Sequence, residues 1–381
     1  MSNIFTFVLP TKIVFGAGCV NKLAEELSEL RADRPLIVCD KGIAAAGILD
    51  RALAVLPRGM SYQVFDGVEA NPKDVNAAKG AEAYSSFRAD SIIAVGGGSP
   101  IDCAKAIGVL AANEASDIKA FEGKSAASKP LPPLICVPTT AGTGSEITFS
   151  SVITDTKNNY KMTVKNSFTA AKTAVCDPEL TLTVPPAITA ATGMDALTHA
   201  IEAFTATCSE PIADAAALYA VELIWQNLIP AFENGGNLAA RNNMLMGSVL
   251  AGIAFSHSDV ASVHCIAESL GGMYDLPHGT CNAIFLPYIM EYNMGYCEQK
   301  YARVARAMAL KQDGAGAKAA VDAVKQMAKD VRLPSFASLK VDPANYDKIA
   351  LASAKNISTE SNPRPMSKED YLAVLKMAAR A

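Results

Sequence analysis

The stretch SIIAVGGGSPIDCAKAIG, residues 91–108, decides the fold class, because it reads as a strand, a glycine run and a helix. Its first half is a continuous apolar run, which is typical of a strand buried on both faces of a parallel sheet. For its second half we predict that Ser99 caps the helix, that Pro100 takes the first helical position, and that Asp102 lies in the first turn. The stretch therefore predicts a strand–loop–helix unit of an α/β domain.

The glycine run of this stretch is suited to binding a phosphate group. Bare glycines let the backbone approach a ligand closely, and a helix N-terminus adds free N–H groups and the positive end of a dipole. A tight strand–helix turn is the alternative, but Gly96, Gly97 and Gly98 in a row exceed what a turn needs. The run matches neither a Walker A loop nor the G-x-G-x-x-G fingerprint.

The rest of the first half repeats this alternation of strands and helices. Further apolar strands are predicted at residues 34–40, at 62–68 and within 131–146. Continuous apolar strands separated by helical patterns predict a parallel sheet with helices on its faces. We therefore assign residues 1–184 to an α/β dinucleotide-binding domain.

The character of the chain changes around residues 177–193, which contain paired prolines. Beyond them, helical periodicity and Ala, Leu, Met and Asn dominate, as in residues 193–206, 211–233 and 318–331. Ser367 and Asp370 have the spacing of a capping box at the start of the last helix. We assign residues 185–381 to an all-helical domain, so the predicted fold class is α/β plus all-α.

The composition excludes several classes of function. The net charge is −4 and only 19% of the 381 residues are charged, so nucleic acid and anionic membranes are not expected partners. No apolar run is expected to reach membrane-spanning length, and the start of the chain does not resemble a secretory signal. The nine cysteines are odd in number and form no C-x-x-C pair, which predicts reduced thiols in the cytoplasm.

Two further features of the first half favour a nicotinamide dinucleotide. Asp40 follows a strand, where its carboxylate would accept hydrogen bonds from a ribose and repel a 2′-phosphate, so NAD is favoured over NADP. The stretch PTTAGTGSEIT, residues 138–148, places hydroxyl groups and glycines after a buried strand, where α/β sheets bind ligands. The alternatives are an ordinary strand-end acid and a solvated loop.

The second half contains a candidate metal site. Asp195 and His199 are four residues apart, so a helix places them on one face. His264 and His278 follow in another apolar segment, and one Asp with three His gives an N3O donor set suited to Zn²⁺ or Fe²⁺. A single histidine is usually a satisfied core residue, but this set includes three of only four histidines. The fourth, His257, has polar neighbours and is not expected to be a ligand.

A metal beside a nicotinamide pocket suggests one chemistry above others. The ion would lower the pKa of an alcohol, and the carbinol hydrogen would leave as hydride to the cofactor.

Five motifs with their order and spacing resemble the iron-containing (group III) alcohol dehydrogenase family. They are GGGSPIDCAKAIG, PTTAGTGSEIT, GMDALTHAIEA, VHCIAESLGGMYDLPHG and NPRPMSKEDY. The resemblance covers nearly the whole chain and implies a dehydroquinate synthase-like, iron-type alcohol dehydrogenase fold. It also implies NAD, Fe²⁺ with Zn²⁺ or Mn²⁺ as alternatives, and a homodimer or larger oligomer.

The resemblance further implies roles for individual residues. Metal ligation falls to Asp195, His199, His264 and His278. Cofactor contacts fall to Asp40, Asn71, Gly97, Gly98, Ser99, Asp102, Thr139, Thr140, Thr143, Ser145, Thr148 and Lys161. Lys161 would lie by the nicotinamide ribose, and Phe149 and Phe255 would line the substrate pocket.

The chain departs from the family pattern at two places, of which one is AFSHSD, residues 254–259, where many relatives have an Asn-containing turn. Members usually carry a second histidine four residues after the third ligand, whereas this chain has Glu268 there. Helical spacing puts Glu268 on the face of His264, so we predict that it transfers a proton or binds a polar group of the substrate. A structural hydrogen bond is the alternative.

The sequence thus predicts an NAD-linked, metal-dependent oxidoreductase that interconverts a primary alcohol, small diol or hydroxy acid with its aldehyde or ketone. One alternative is a polyol enzyme that resembles glycerol dehydrogenase. Another is a lyase of the dehydroquinate-synthase type, which needs more basic residues than Lys161 to hold a phosphorylated substrate.

Overall fold

The computed structural model describes residues 4–124, 127–310 and 316–380, apart from the side chain of Lys124. The chain divides into two compact units. The sheet unit comprises Leu9–Thr140 and Gly144–Val184. The helical unit comprises the described residues up to Val8, the short segment Ala141–Thr143, and the chain from Pro185 onwards.

The sheet unit is built on a six-stranded parallel sheet and a smaller three-stranded sheet. The strands are β1 (Lys12–Phe15), β2 (Pro35–Asp40), β3 (Gln63–Val68), β4 (Ser91–Gly96), β5 (Gly123–Lys124), β6 (Leu134–Pro138), β7 (Ser150–Asp155), β8 (Tyr160–Lys165) and β9 (Thr173–Cys176). The large sheet has the order β1-β9-β6-β4-β2-β3, and every pairing in it is parallel. Its helices are α1 (Leu23–Glu29), α2 (Lys41–Ala45), α3 (Ile48–Ala54), α4 (Asp74–Phe87) and α5 (Gly98–Asn113).

Strand β4 shows why its sequence is apolar at every position. Ile92 and Ala94 belong to one core layer, whereas Ile93 and Val95 belong to the layer on the opposite face. Because successive side chains point to opposite faces of a sheet, a strand covered on both sides must be apolar throughout. The predicted buried parallel sheet is confirmed.

The smaller sheet was not predicted from the sequence. It has the order β5-β8-β7, and β7 pairs with β8 antiparallel, from Ser150 opposite Lys165 to Asp155 opposite Tyr160. This ribbon directly follows the hydroxyl-rich stretch 138–148 and carries Lys161.

The helical unit consists of eight α-helices among its described residues. They are α6 (Pro186–Thr205), α7 (Pro211–Glu233), α8 (Leu238–Ser258), α9 (Ser262–Tyr274), α10 (His278–Ala307), α11 (Ala317–Asp330), α12 (Tyr346–Lys355) and α13 (Lys368–Ala378). The predicted capping box is confirmed at α13, where Ser367 Oγ accepts from the Asp370 N–H and Asp370 accepts from the Ser367 N–H. The predicted combination of an α/β part and an all-helical part is therefore confirmed.

Helix α7 is long and apolar enough to cross a membrane by length and composition. The prediction that no apolar run reaches that length is wrong by this measure. Ala217, Val221 and Leu228 of α7 are fully buried in the core that α7 shares with α6 and α8. These residues form one buried side of the helix, whereas 33% of its apolar window as a whole is buried, and one helix of this kind is weak evidence for a membrane span.

Candidate active site

Four side chains of the helical unit converge on one point. Asp195 and His199 lie one turn apart on α6, His264 lies on α9, and His278 is the first residue of α10. One ligand atom from each residue lies within 4.8 Å of those of the other three. Asp195, His199 and His264 are buried, whereas 25% of the His278 side chain is exposed. The structure thus brings together all four residues that the sequence predicts as metal ligands.

The protonation of Asp195 and His199 fits a metal ion. Burial lowers the pKa of His199 to about 4, so its imidazole is neutral at pH 7. Burial alone would raise the pKa of Asp195, but the three histidines and a hydrogen bond from Asn282 outweigh it and lower that pKa. An ionised carboxylate beside neutral imidazole is the form in which these groups bind divalent ions.

Glu202 positions one of these ligands, and sequence reasoning missed it. Its carboxylate accepts a hydrogen bond from His264 Nδ1 at 2.5 Å, which leaves Nε2 of that ring for the cluster. It also accepts from the backbone N–H groups of Ala261 and Val263, at 3.0 and 2.7 Å, where α9 begins. A carboxylate on the second nitrogen of a ligating histidine fixes the tautomer and the ring orientation. The available signal was spacing, because residue 202 follows Asp195 and His199 at i+7 and i+3 on the same face of α6.

The aromatic neighbours of His199, a member of the cluster, differ from those of the fourth histidine, His257. The ring of Phe255 stacks on His199 with centroids 4.3 Å apart, so a predicted pocket residue touches a predicted ligand. His257 instead stacks on Phe7 at 4.0 Å, and its ring nitrogens contact the backbone oxygens of Ile253 and Val8. The contacts of His257 are thus with residues outside the group of four.

Glu268 is half-buried on α9, one turn beyond His264. Asn356, which follows the last residue of α12, donates a hydrogen bond from Nδ2 to Glu268 Oε2 at 2.6 Å. Burial acts to lower the pKa of His264, but Glu202, then Asp195 and last Glu268 outweigh it and raise that pKa. The carboxylate is therefore close to the cluster and has a neutral polar neighbour.

In the sheet unit, the glycine run forms the start of α5. The helix begins at Gly98, and Gly97 precedes it in an extended conformation without a side-chain cap. The prediction that Ser99 is the cap is wrong by two residues, so Pro100 takes the third helical position and Asp102 lies beyond the first turn. Gly96 is the last residue of β4, has a φ of 153°, and a Cβ there would lie 2.5 Å from Pro100 Cγ, so the strand passes into the helix through glycines and not through a side-chain cap.

The glycine run lies against the segment that follows β6. The Thr139 N–H donates to the Gly96 oxygen at 3.0 Å, and a Cβ on Gly97 would lie 3.0 Å from Thr140 Oγ1. Gly96, Gly97 and Gly98 thus place no side chain of their own beside the start of α5, which is a feature of phosphate-binding turns.

The other predicted cofactor residues of the sheet unit lie at loop and strand positions. Asp40 caps α2 by accepting from the Ile43 N–H at 2.9 Å, so one of its oxygens has a structural partner. Asn71 is buried with a φ of 50° just before α4. Lys161 lies on β8; burial raises the pKa of Asp102, and the charge of Lys161 acts in the opposite direction. Thr143 belongs to the short segment assigned to the helical unit.

Lys105 holds the hydroxyl-rich loop in place, a role that was not predicted from the sequence. This fully buried ammonium group donates to the backbone oxygens of Ser145, Thr148 and Ser150 at 2.6, 3.0 and 2.8 Å. Asp102 binds the same loop, because its carboxylate accepts from Ser145 Oγ at 2.5 Å and from the Val152 N–H at 3.1 Å. Phe149, in this loop, is half-buried. The sequence feature that could have identified this role is that Lys105 is the one cationic residue in the otherwise largely apolar sequence of α5.

Comparison with known proteins matches both halves of the chain to one family. Residues 10–178 match the model "Iron-containing alcohol dehydrogenase", and residues 189–379 match "Fe-containing alcohol dehydrogenase family, C-terminal". The chain is 38% identical to a 1,3-propanediol dehydrogenase of Citrobacter freundii, over 99% of both chains. It is 33% identical to an NAD-dependent methanol dehydrogenase of Bacillus methanolicus, over 99% of this chain and 100% of that one. The solved structure of a 1,3-propanediol oxidoreductase is similar at a TM-score of 0.95 and 37% identity, and the match covers 99% of this chain and 100% of the other.

Proposed function

We propose residue roles and a substrate class on one premise: the chain belongs to the iron-containing alcohol dehydrogenase family. It is accordingly a metal-dependent oxidoreductase that uses NAD and Fe²⁺ to interconvert an alcohol with its aldehyde or ketone.

Asp195, His199, His264 and His278 hold the metal ion in this proposal. The observation that carries it is the convergence of their ligand atoms within 4.8 Å. A divalent ion supplies Lewis acidity, which lowers the pKa of an alcohol and polarises a carbonyl, and NAD supplies the hydride acceptor. Glu202 keeps the His264 ring in the orientation and tautomer that ligation requires.

Residues 1–184 form the NAD-binding domain in this proposal, and residues 185–381 form the metal-binding and substrate domain. The backbone of Gly97 and Gly98, with Ser99, binds the pyrophosphate at the start of α5. Asp40 binds the adenosine ribose, as its place after β2 favours. The nicotinamide half is bound by the remaining predicted contacts, which are Asn71, Asp102, Thr139, Thr140, Thr143, Ser145, Thr148 and Lys161.

The substrate is proposed to be a short, uncharged primary alcohol with a second hydroxyl group. Two relatives carry 1,3-propanediol in their names, which supports a diol. Glu268 supplies a hydrogen-bond acceptor and Asn356 a donor, and both could bind the second hydroxyl group of a diol. Phe255 supplies an apolar surface beside His199. The negative charge of Glu268 disfavours hydroxy acids, because it would repel a substrate carboxylate. Glu268 is also the proposed group for proton transfer.

The test is NADH formation by protein loaded with Fe²⁺, Zn²⁺ or Mn²⁺, with 1,3-propanediol and 1-propanol as substrates. We expect oxidation of both alcohols, loss of activity with a chelator, and recovery when metal is restored. His278→Ala should lose bound metal in elemental analysis, whereas His257→Ala should retain it. Absence of alcohol-dependent NADH formation with every metal would contradict the proposed function.

The role of Glu268 is tested by Glu268→Gln and Glu268→His. We expect kcat/KM for 1,3-propanediol to fall about 10- to 100-fold in Glu268→Gln, in line with the worth of a hydrogen bond to a charged group, and 1-propanol to be less affected. The pH–rate profile should also change if Glu268 transfers the proton. Unchanged diol preference and unchanged profiles would leave Glu268 as the structural partner of Asn356.

We further propose that the enzyme acts in the cytoplasm as a homodimer or larger oligomer, without nucleic-acid or membrane partners. All nine cysteines are free thiols, which supports a reducing compartment.

A further inference from the structure

Asn282 lies fully buried within the cluster of predicted ligands, one turn after His278 on α10. Its side-chain amide nitrogen lies 2.6 Å from Asp195 Oδ1, 3.0 Å from His264 Nε2 and 3.2 Å from His278 Nε2. One amide group thus contacts an atom of three of the four predicted ligands. A residue that serves only the packing of α10 does not need these contacts.

The other end of this amide has no hydrogen-bond partner. Asn282 Oδ1 is buried, and no described residue donates to it. The nitrogen and oxygen of an amide exchange places when the group turns by 180°, with almost no change in shape. Turning therefore costs no hydrogen bond on the oxygen side.

A divalent cation decides which end faces the cluster. Its charge attracts the partly negative amide oxygen and repels the partly positive NH₂ group, most strongly in a buried site of low dielectric. The ion also takes over the acceptor atoms of Asp195, His264 and His278 that the NH₂ group contacts. Both effects favour the orientation in which Oδ1 points toward the ion.

We propose that Asn282 is a fifth protein ligand, through Oδ1, at the metal site on which the proposed function rests. The donor set then becomes three imidazole nitrogens and two oxygens, one charged and one neutral. Zn²⁺ prefers four ligands, whereas Fe²⁺ and Mn²⁺ accept more ligands and more oxygen. Asn282 consequently biases the site toward Fe²⁺ and away from Zn²⁺.

The experiment measures metal affinity and not activity. Metal-free full-length protein is titrated with Fe²⁺ under anaerobic conditions, and separately with Zn²⁺, in competition with a chelator of known affinity. Asn282→Ala removes both ends of the amide, and Asn282→Asp keeps an oxygen but removes the NH₂ donor. Asn293→Ala is the matched control, because it removes a buried amide of the same helix that pairs with Asn362. Circular dichroism of the metal-free variants shows whether they fold.

We expect Asn282→Ala to weaken Fe²⁺ binding about 10- to 100-fold, the range known for groups that support a metal site, and Zn²⁺ binding by clearly less. Asn282→Asp should bind Fe²⁺ at least as tightly as the wild type, and Asn293→Ala should keep the wild-type ratio of affinities. If Asn282→Asp binds Fe²⁺ as weakly as Asn282→Ala, the amide acts as a donor to Asp195 and the proposed ligand is wrong. A wild-type protein that binds neither metal would instead overturn the proposed function.

Discussion

Buried charges in the sheet unit mostly have partners, and Glu146 is the instructive exception. Lys105 donates to the backbone oxygens of Ser145, Thr148 and Ser150, although burial still lowers its pKa. Glu146 is 2% exposed, and among the described residues its Oε1 has no hydrogen-bond partner. Burial raises the pKa of Glu146 to about 7, although Lys105 acts in the opposite direction. This carboxyl group is therefore protonated in the folded protein at mildly acidic pH.

Glu146 should make stability fall as pH rises. Between pH 4.5 and about 7 the unfolded chain loses this proton and the folded chain keeps it, so unfolding becomes easier with rising pH. As the pH rises through that window, the free energy of unfolding of Glu146→Gln should increase by roughly 3 kcal/mol relative to that of the wild type. Each unit of pKa difference corresponds to about 1.4 kcal/mol. The measurement is Tm from pH 4.5 to 8, with the exposed Glu82→Gln as control. Parallel Tm curves for Glu146→Gln and wild type would show that Glu146 does not titrate in this window.

Helices α6 and α10 carry three of the four predicted ligands, and they meet at a glycine. A Cβ on Gly279 would lie 2.5 Å from the backbone oxygen of Ala191 and 3.2 Å from Asp195 Cβ. The separation between Asp195 and His278 is thus set by the absence of a side chain where the two backbones approach. A Cβ on Gly295, further along α10, would meet no atom within 4 Å, so this glycine serves as a neutral reference.

Gly279→Ala should push α10 away from α6 and weaken metal binding. Overpacking of this kind costs about 1–3 kcal/mol, so we expect a lower Tm together with a lower affinity for metal. Gly295→Ala adds the same methyl group to the same helix in open space and should leave Tm unchanged or raise it slightly, because alanine favours helix. Titration with Zn²⁺ and thermal unfolding of both variants provide the test. Equal behaviour of the two variants would mean that the contact at Gly279 is adaptable.

The elements themselves were predictable to different degrees. The buried parallel strands and the long helices followed from apolar runs and helical periodicity. For α7, the predicted range 211–233 coincides with the observed helix, Pro211–Glu233. The antiparallel pair β7–β8 was missed because its Ser, Thr and Asn residues resemble a solvated loop, although Ile153, Met162 and Val164 are buried. The start of α5 was misplaced because a side-chain cap was expected where glycine geometry determines the turn.

At the scale of the whole molecule, the metal site depends on contacts that local patterns do not specify. The pairing of Asp195 with His199 follows from one helical turn, but their meeting with His264 and His278 follows from the packing of α6, α9 and α10. Histidines are scarce in this chain, which made them recognisable together with the family resemblance. Acids and amides are common, so the spacing of Glu202 on α6 was a weak signal, and Asn282 could not be selected without knowing what it touches.

A site assembled from three helices should couple metal binding to folding. Metal at about 100 times its Kd adds about 2.7 kcal/mol to the stability of the folded state, provided the unfolded chain does not bind it. We expect Tm to rise when Zn²⁺ or Fe²⁺ is added to metal-free protein, and this rise to be lost in His278→Ala. His257→Ala should keep the rise, since its ring lies outside the cluster. A Tm that does not respond to metal would argue against ligands drawn from separate helices.

The strand order of the large sheet has a consequence for synthesis on the ribosome. Strand β9 pairs with both β1 and β6, yet it is the last strand of that sheet to be made. More than a hundred residues are therefore synthesised between β1 and its parallel neighbour β9. In the meantime β2, β3 and β4 can already pair with one another. The sheet unit is nevertheless complete once Val184 has left the ribosome, whereas the helical unit requires the chain from Pro185 onwards. We expect the nascent chain to fold in that order, since domains generally fold as units from the N-terminus during translation.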